Sequence, residues 1–199
     1  MRTTGTRGFS LLELVTVVTV IFILAALTVP YLITQVYAIR IRYSATELSG
    51  LLQATRMESV RLNTYYSVQG VQAANGNPAL EQVVDKTRLP VNDIPQAVMA
   101  SNVSVFYGPG SGAPAEAVLL GALNFVPASA VAGLPSFSAR GLPCVPVGVT
   151  CPVTPGQGFV FFLSRTDSTG GSSGWTAVAV TPSGRCQVWA YDGNNWLQL

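Results

Sequence analysis

Few residues in this chain have the type and spacing to do chemistry, and the sharpest of them is Glu13. Its carboxylate is the only charge in FSLLELVTVVTVIFILAALTV, residues 9–29. An ionised side chain at the centre of a bilayer costs on the order of 2.5–3.5 kcal/mol, less near an interface, so such residues are usually functional. The cysteines, Cys144, Cys151 and Cys186, lack the paired CxxC spacing of a zinc or redox site. In an oxidising compartment Cys144 and Cys151 can close the short loop CVPVGVTC; a Cys144–Cys186 bridge and no bridge are the alternatives that sequence leaves open. Ser164, Arg165, Thr166, Asp167 and Ser168 form a polar patch at a strand end. Without a lysine beside the serine or a cluster of carboxylates, that patch reads as loop solvation rather than as a catalytic or cation site. Arg165 and Arg185 could contact phosphate while Trp175, Trp189 and Trp196 stack on bases, as in single-strand binders. Set against this, Arg185 reads as a solvated hairpin residue and the tryptophans as packing groups. Tyr65, Tyr66 and Tyr107 read as core beneath a helix.

The absences are as informative. There is no histidine, which removes the commonest metal ligand and the commonest general base at neutral pH, and nothing resembles a phosphate-binding loop. The chain therefore reads as a non-enzyme that needs no cofactor and no metal. Its 199 residues are 49% hydrophobic and only 10% charged, against roughly 25% charged residues in an ordinary globular chain. Eleven basic and nine acidic side chains leave a net charge of +2, and Arg2 and Arg7 account for that excess. No broad electrostatic attraction to nucleic acid results.

Residues 9–29 would form a helix of about 31 Å, enough to cross a hydrocarbon core. A secretory signal has a shorter apolar core and a small-residue cleavage site. A plain anchor, with Arg2 and Arg7 on the cytoplasmic side, leaves Glu13 unexplained. A buried core helix would carry a polar stripe at this length. Pro30 removes one N–H and crowds the preceding turn, which predicts a kink or local melting. Beyond it, Ala45, Leu48, Leu51, Leu52, Thr55, Ser59 and Leu62 recur at three- and four-residue spacing. Arg40, Arg42, Glu47, Arg56, Glu58 and Arg61 fall largely elsewhere and read as a solvated face.

After Asn63 the helical pattern stops. TYYSVQGV, SNVSVFYG, AVLLGALNFVP, GFVFFLSR, WTAVAVTP and RCQVWAYD read as strands, the last three as an antiparallel meander with TDSTGGSSG as a long connection and TPSG as a tight turn. Between Gln72 and Ala100 the pattern predicts a short helix around Leu80 to Lys86 and, with Pro90 and Pro95, a loop. The fold class is thus α+β: a long N-terminal helix packed on a β-rich antiparallel head.

The leader MRTTGTRG followed by FSLLELVTVV resembles the class III signal of type IV pilin-like proteins. The resemblance implies cleavage after Gly8 by prepilin peptidase, methylation of the new terminus at Phe9, and a functional glutamate at the fifth mature position, here Glu13. It also places Pro30 where pilin-like helices carry a proline. In a filament, Glu13 would meet the amino terminus of a neighbouring Phe9 within the apolar core. An unpaired ion there is penalised, so the pair would set the stagger between subunits. LLQATRMESVRLNTYYSV, PSFSARGLPC and VAVTPSGRCQVW further resemble the GspH/FimT group, that is, the H-type pseudopilins of type II secretion and the FimT-like minor pilins. Gly184-Arg185-Cys186-Gln187 is similar to the GRxR motif of DNA-binding members, except that Gln187 replaces the second arginine. The implied organisation is a leader (1–8), a transmembrane and filament-core helix (9–30), an amphipathic extension (31–62) and a periplasmic β-rich head (63–199). The implied setting is the bacterial inner membrane, with the N-terminus cytoplasmic, then a pilus or pseudopilus. The implied partners are prepilin peptidase, other pilin or pseudopilin subunits and, indirectly, an assembly ATPase, with DNA as a secondary candidate. The implied role is a structural subunit of a type II secretion pseudopilus; a minor pilin in pilus biogenesis or DNA uptake and a plain membrane-anchored binding domain are the alternatives.

Overall fold

The computed structural model describes residues 10–84, 95–128, 134–166 and 172–199; Gly8 and Phe9 lie outside them. The chain falls into two compact units, Met1–Ile39 and Arg40–Leu199, and helix α1 (Leu11–Arg61) contributes to both. In the first unit the helix continues through position 30, so the melting expected at Pro30 does not occur.

In the second unit α1 is amphipathic in the way its spacing predicts. Ile41, Ala45, Leu48, Leu51, Leu52, Thr55 and Ser59 are all buried. Leu62 is not, because the helix ends before it. The end has a local cause: Asn63 adopts the left-handed conformation (φ 50°), and the amides of Asn63 and Thr64 donate to the carbonyls of Val60 and Ser59 at 3.3 and 3.2 Å, a Schellman-type cap.

Two sheets follow. The first has β1 (Tyr66–Gln72), β2 (Pro78–Val84), β3 (Gln96–Val98), β6 (Ser136–Phe137) and β7 (Pro143–Cys144) in the order β3-β2-β1-β6-β7. The second is built from β4 (Val103–Tyr107), β8 (Gln157–Thr166), β9 (Ser172–Val180), β10 (Cys186–Tyr191) and β11 (Trp196–Gln198) in the order β11-β10-β9-β8-β4; β5 (Val126–Pro127) pairs parallel to β8. Among the described residues all other strand pairs are antiparallel. The meander read from sequence is present and one strand longer, and the TPSG turn closes with the Gly184 amide donating to the Thr181 carbonyl at 2.7 Å.

Both faces of the second sheet are covered, which is why GFVFFLS reads as an unbroken apolar run. On one face Phe159, Phe161, Leu163, Val178 and Val180 meet the buried stripe of α1 together with Val68, Leu80, Met99 and Phe137. On the other, Val160, Phe162, Ala177 and Ala179 meet Leu119, Leu123 and Trp196.

Four sequence readings are corrected. AVLLGALNFVP is strand only at its end, in β5: most of it lies in helix α2 (Glu116–Leu123), whose Leu119 and Leu123, one turn apart, are buried and whose C-cap Asn124 is left-handed. Alanine and leucine favour helix, and that preference outweighed the apolar run. The described part of the helix expected around Leu80 to Lys86, Leu80 to Val84, is strand instead, because positions 78–84 pair along their whole length with β1 from Gln72↔Pro78 to Tyr66↔Val84; ladder pairing overrides local propensity. Gln96–Val98 is strand rather than loop, added to β2, while Lys86 and Pro90 lie outside the described residues. Ser172, read as part of a long connection, already belongs to β9.

Candidate functional site

The apolar stretch of α1 comes first. Residues Leu11–Thr28 have a mean hydropathy of 2.5, and none is buried within the chain, so the helix is long and apolar enough to cross a membrane. Its hydroxyls are satisfied by its own backbone: Thr16, Thr19 and Thr28 donate to the carbonyls of Glu13, Val15 and Leu24 at 2.9, 2.8 and 3.0 Å. That arrangement suits a medium without water, where an unpaired polar group is costly. Glu13 is the exception. It is exposed and has no ion-pair partner among the described residues. Its place in the first turn of α1 lets it complement the helix dipole by about 0.3–1 kcal/mol, less than the cost of a charge deep in hydrocarbon. The side chain of Pro30 is not among those described.

A second arrangement lies in the head. Arg56, read from sequence as part of a solvated face, is half-buried. Its Nε–H donates to the Gly141 carbonyl at 3.0 Å and its Nη2 to the Ser183 carbonyl at 3.2 Å. One guanidinium thus ties the turn between β6 and β7 to the turn between β9 and β10. A groove of about 660 Å³ opens beside it, lined by Gln53, Met57, Val60, Arg61, Arg185 and Cys186. Arg61 is engaged with Glu58. Cys186 is a free thiol pushed up to about 11, chiefly by burial, with Ser49 and Arg56 pulling weakly the other way. A thiol so protonated is a poor nucleophile at neutral pH.

The remaining candidates are dispersed. Cys144 and Cys151 form a disulfide with Cα atoms 5.5 Å apart. Arg165 is only 9% exposed and pairs with Gly174 near the start of β9, whereas Arg185 follows the end of that strand. At about 3.3 Å per residue the two arginines are roughly 20 Å apart. Arg185 lines the groove beside α1, while Trp175, Trp189 and Trp196 belong to the opposite face of the sheet. Cations and aromatic rings therefore do not share a nucleic-acid groove. Ser164 is buried, Asp167 and Ser168 lie outside the described residues, and Tyr66 is buried in the head while Tyr65 and Tyr107 are half-buried. Among the described residues no three His, Cys, Asp or Glu side chains cluster to hold a metal ion.

Sequence reasoning missed Arg56, whose partners are 85 and 127 residues away. Two glycine turns and an arginine carry no local sign of meeting. Comparison with protein-family models, curated proteins and solved structures gives no match.

Proposed function

We propose that this chain is a prepilin-like structural subunit whose apolar helix first sits in the bacterial inner membrane and then bundles with copies or relatives of itself in a type II secretion pseudopilus. The observation that carries the reading is Glu13: the one ionisable group in an 18-residue stretch with no buried residue, and without an ion-pair partner among the described residues. A helix apolar on every side needs lipid or other helices around it, and a carboxylate there needs a cation. The amino terminus of a processed neighbour at Phe9 supplies one. The mechanism is assembly: Gly8 and Phe9 define processing by prepilin peptidase, Glu13 sets the stagger, and the pilin-like periplasmic head selects neighbours. Energy comes from a separate cytoplasmic ATPase.

The test is intact-mass and N-terminal analysis of the chain produced with a prepilin peptidase, for wild type, Gly8→Ala and Glu13→Ala. The expected mature chain begins at N-methylated Phe9, cleavage stops in Gly8→Ala, and Glu13→Ala is processed but does not enter filaments. An uncleaved wild-type chain would overturn the reading and leave a membrane-anchored binding domain. Loss of protein export without loss of surface pili separates the pseudopilus from a minor-pilin role.

A further inference from the structure

The face of the second sheet turned away from α1 carries aromatic rings that the core uses only in part: Trp196 is buried there, whereas Trp175 and Tyr191 are half-buried against it. Trp175 on β9 lies 6.0 Å from Phe106 on β4, and Tyr191 on β10 lies 5.4 Å from Trp196 on β11, by ring centroids. Between them an open pocket of about 570 Å³ is lined by Trp175, Tyr191, Asp192 and Pro114. Gly112, Gly174 and Gly193 complete it, and a Cβ at any of the three would meet nothing within 4 Å. Main-chain groups there are therefore accessible to a ligand.

The pocket is held in shape before anything enters it. Trp196 Nε1–H donates to the Pro114 carbonyl at 3.0 Å. Glu116 accepts from the Gly110 amide and the Ser111 hydroxyl at 2.6 and 2.9 Å, organising the loop that contains Gly112. Asp192 Oδ1 accepts from the amides of Asn194 and Asn195 at 2.8 and 2.7 Å. Those amides hold its carboxyl below the usual range, that of Asn195 most. Both of these bonds fall on Oδ1, and the carboxylate is exposed. Preorganisation of this kind lowers the cost of binding.

We infer that this pocket is a carbohydrate subsite, which takes a pyranose ring of a neutral oligosaccharide stacked on Trp175 or Tyr191 with a sugar hydroxyl donating to the exposed Asp192 carboxylate. The face of an aromatic ring is negative and attracts the polarised C–H bonds on the flat side of a sugar. The hydroxyls around the sugar's edge find the carboxylate oxygen and the open glycine backbone. Among the described residues the lining holds no cation, and its one charge is a carboxylate, which disfavours phosphodiesters. An organic cation would gain little from Asp192, which is exposed and therefore screened. A neutral polyol needs no net charge from the site. The inference is independent of the assembly role and stands or falls without it.

The experiment uses the full chain in a polyoxyethylene detergent, whose head group carries neither sugar nor charge, labelled with 5-fluorotryptophan. Three tryptophans give three fluorine resonances, assigned with single Trp→Phe variants. Maltohexaose, cellohexaose and chitohexaose are titrated separately. The expected result is a saturable shift of the Trp175 resonance with at least one of them. Affinity should fall by about tenfold or more in Trp175→Ala, the order expected for one stacked ring. Asp192→Asn, which keeps an oxygen to accept from the amides of Asn194 and Asn195 but removes the charge and one acceptor, should weaken the same titration by about tenfold while leaving the thermal midpoint and the Trp196 resonance in place. It keeps the test decisive if Trp175→Ala fails to fold. No saturable shift with any of the three sugars would overturn the inference. So would a shift produced only by tetramethylammonium and lost in Asp192→Asn, or one produced only by oligothymidylate and lost in high salt.

Discussion

Helix α1 contains two stretches that obey different rules. From Ile41 to Ser59 its apolar and small residues fall on one stripe, and that stripe is buried by the head's own strands. From Leu11 to Thr28 apolar residues lie on every side, and none is buried. A helix with a partner inside the chain needs only one apolar face; a helix apolar all round is built for surroundings that the chain does not supply. The same element thus carries an internal packing surface and an external one, and substitutions should separate them.

The largest contrast is expected between Leu52→Ala and Leu24→Ala. Leu52 is 0% exposed and Leu24 is 57% exposed. Removing a buried leucine side chain costs about 2–5 kcal/mol, so Leu52→Ala should lower the denaturant midpoint of the head, followed by tryptophan fluorescence. Leu24→Ala should stay within about 0.5 kcal/mol of wild type while lowering recovery in assembled filaments. If Leu24→Ala destabilised the head as much, the division between the two stretches would be wrong.

A smaller contrast tests how Arg56 fastens the head to α1. Gly184 has φ +81°, and a Cβ there would stand 2.5 Å from the Gly141 carbonyl oxygen and 2.7 Å from Arg56 Nε. Gly76 has almost the same φ, +80°, with nothing within 4 Å. Gly76→Ala therefore carries only the left-handed backbone penalty, about 1 kcal/mol. Gly184→Ala adds displacement of the arginine and the facing turn, for about 2–3 kcal/mol in all. Equal thermal shifts in the two variants would mean that the junction does not bear on stability.

These cases also mark what could be read from the sequence. The helix end at Asn63, the strand GFVFFLSR and the turn TPSG were legible because each depends on neighbours a few residues away. Glu13 was legible because a lone carboxylate in an apolar run is anomalous wherever the chain folds. Helix α2 and strand β2 were misread because both are short, and their state is decided by what they pack or pair with: Leu119 and Leu123 beneath the aromatic sheet face, β2 along β1. The Arg56 junction and the pocket at Asp192 join segments far apart in the chain, and nothing in residue type or spacing announces such meetings.

Cys186 reports on the packed stretch through pH. Its thiol is raised from 9.0 to about 11, mainly by burial. Between those values the unfolded chain has lost the proton and the folded chain has kept it, so ionisation favours unfolding. Stability should be unaffected by this group below about pH 9 and fall as pH rises toward 11, by about 2 kcal/mol in all. Comparing denaturation midpoints with Cys186→Ala isolates the contribution, since other groups titrating in that range are common to both. A variant that loses as much stability as wild type between pH 8 and 10.5 would show that the thiol is more open to solvent than the packed stretch implies.

The smallest effect has the opposite sign and bears on the exposed side of the packed stretch. Gly50 lies within α1, is exposed, and a Cβ added there would meet nothing within 4 Å. Glycine in a helix interior costs about 1 kcal/mol relative to alanine, so Gly50→Ala should raise the head's unfolding free energy by about that amount. Nothing among the described residues explains why the less stable residue stands there. If the variant is more stable in isolation yet poorly recovered in filaments, close approach of a neighbouring subunit at this position is the reason, and the external surface of α1 extends past its apolar stretch. If it is more stable and assembles normally, the external surface ends before the stripe that the head buries, and the division of the helix into two roles is sharp.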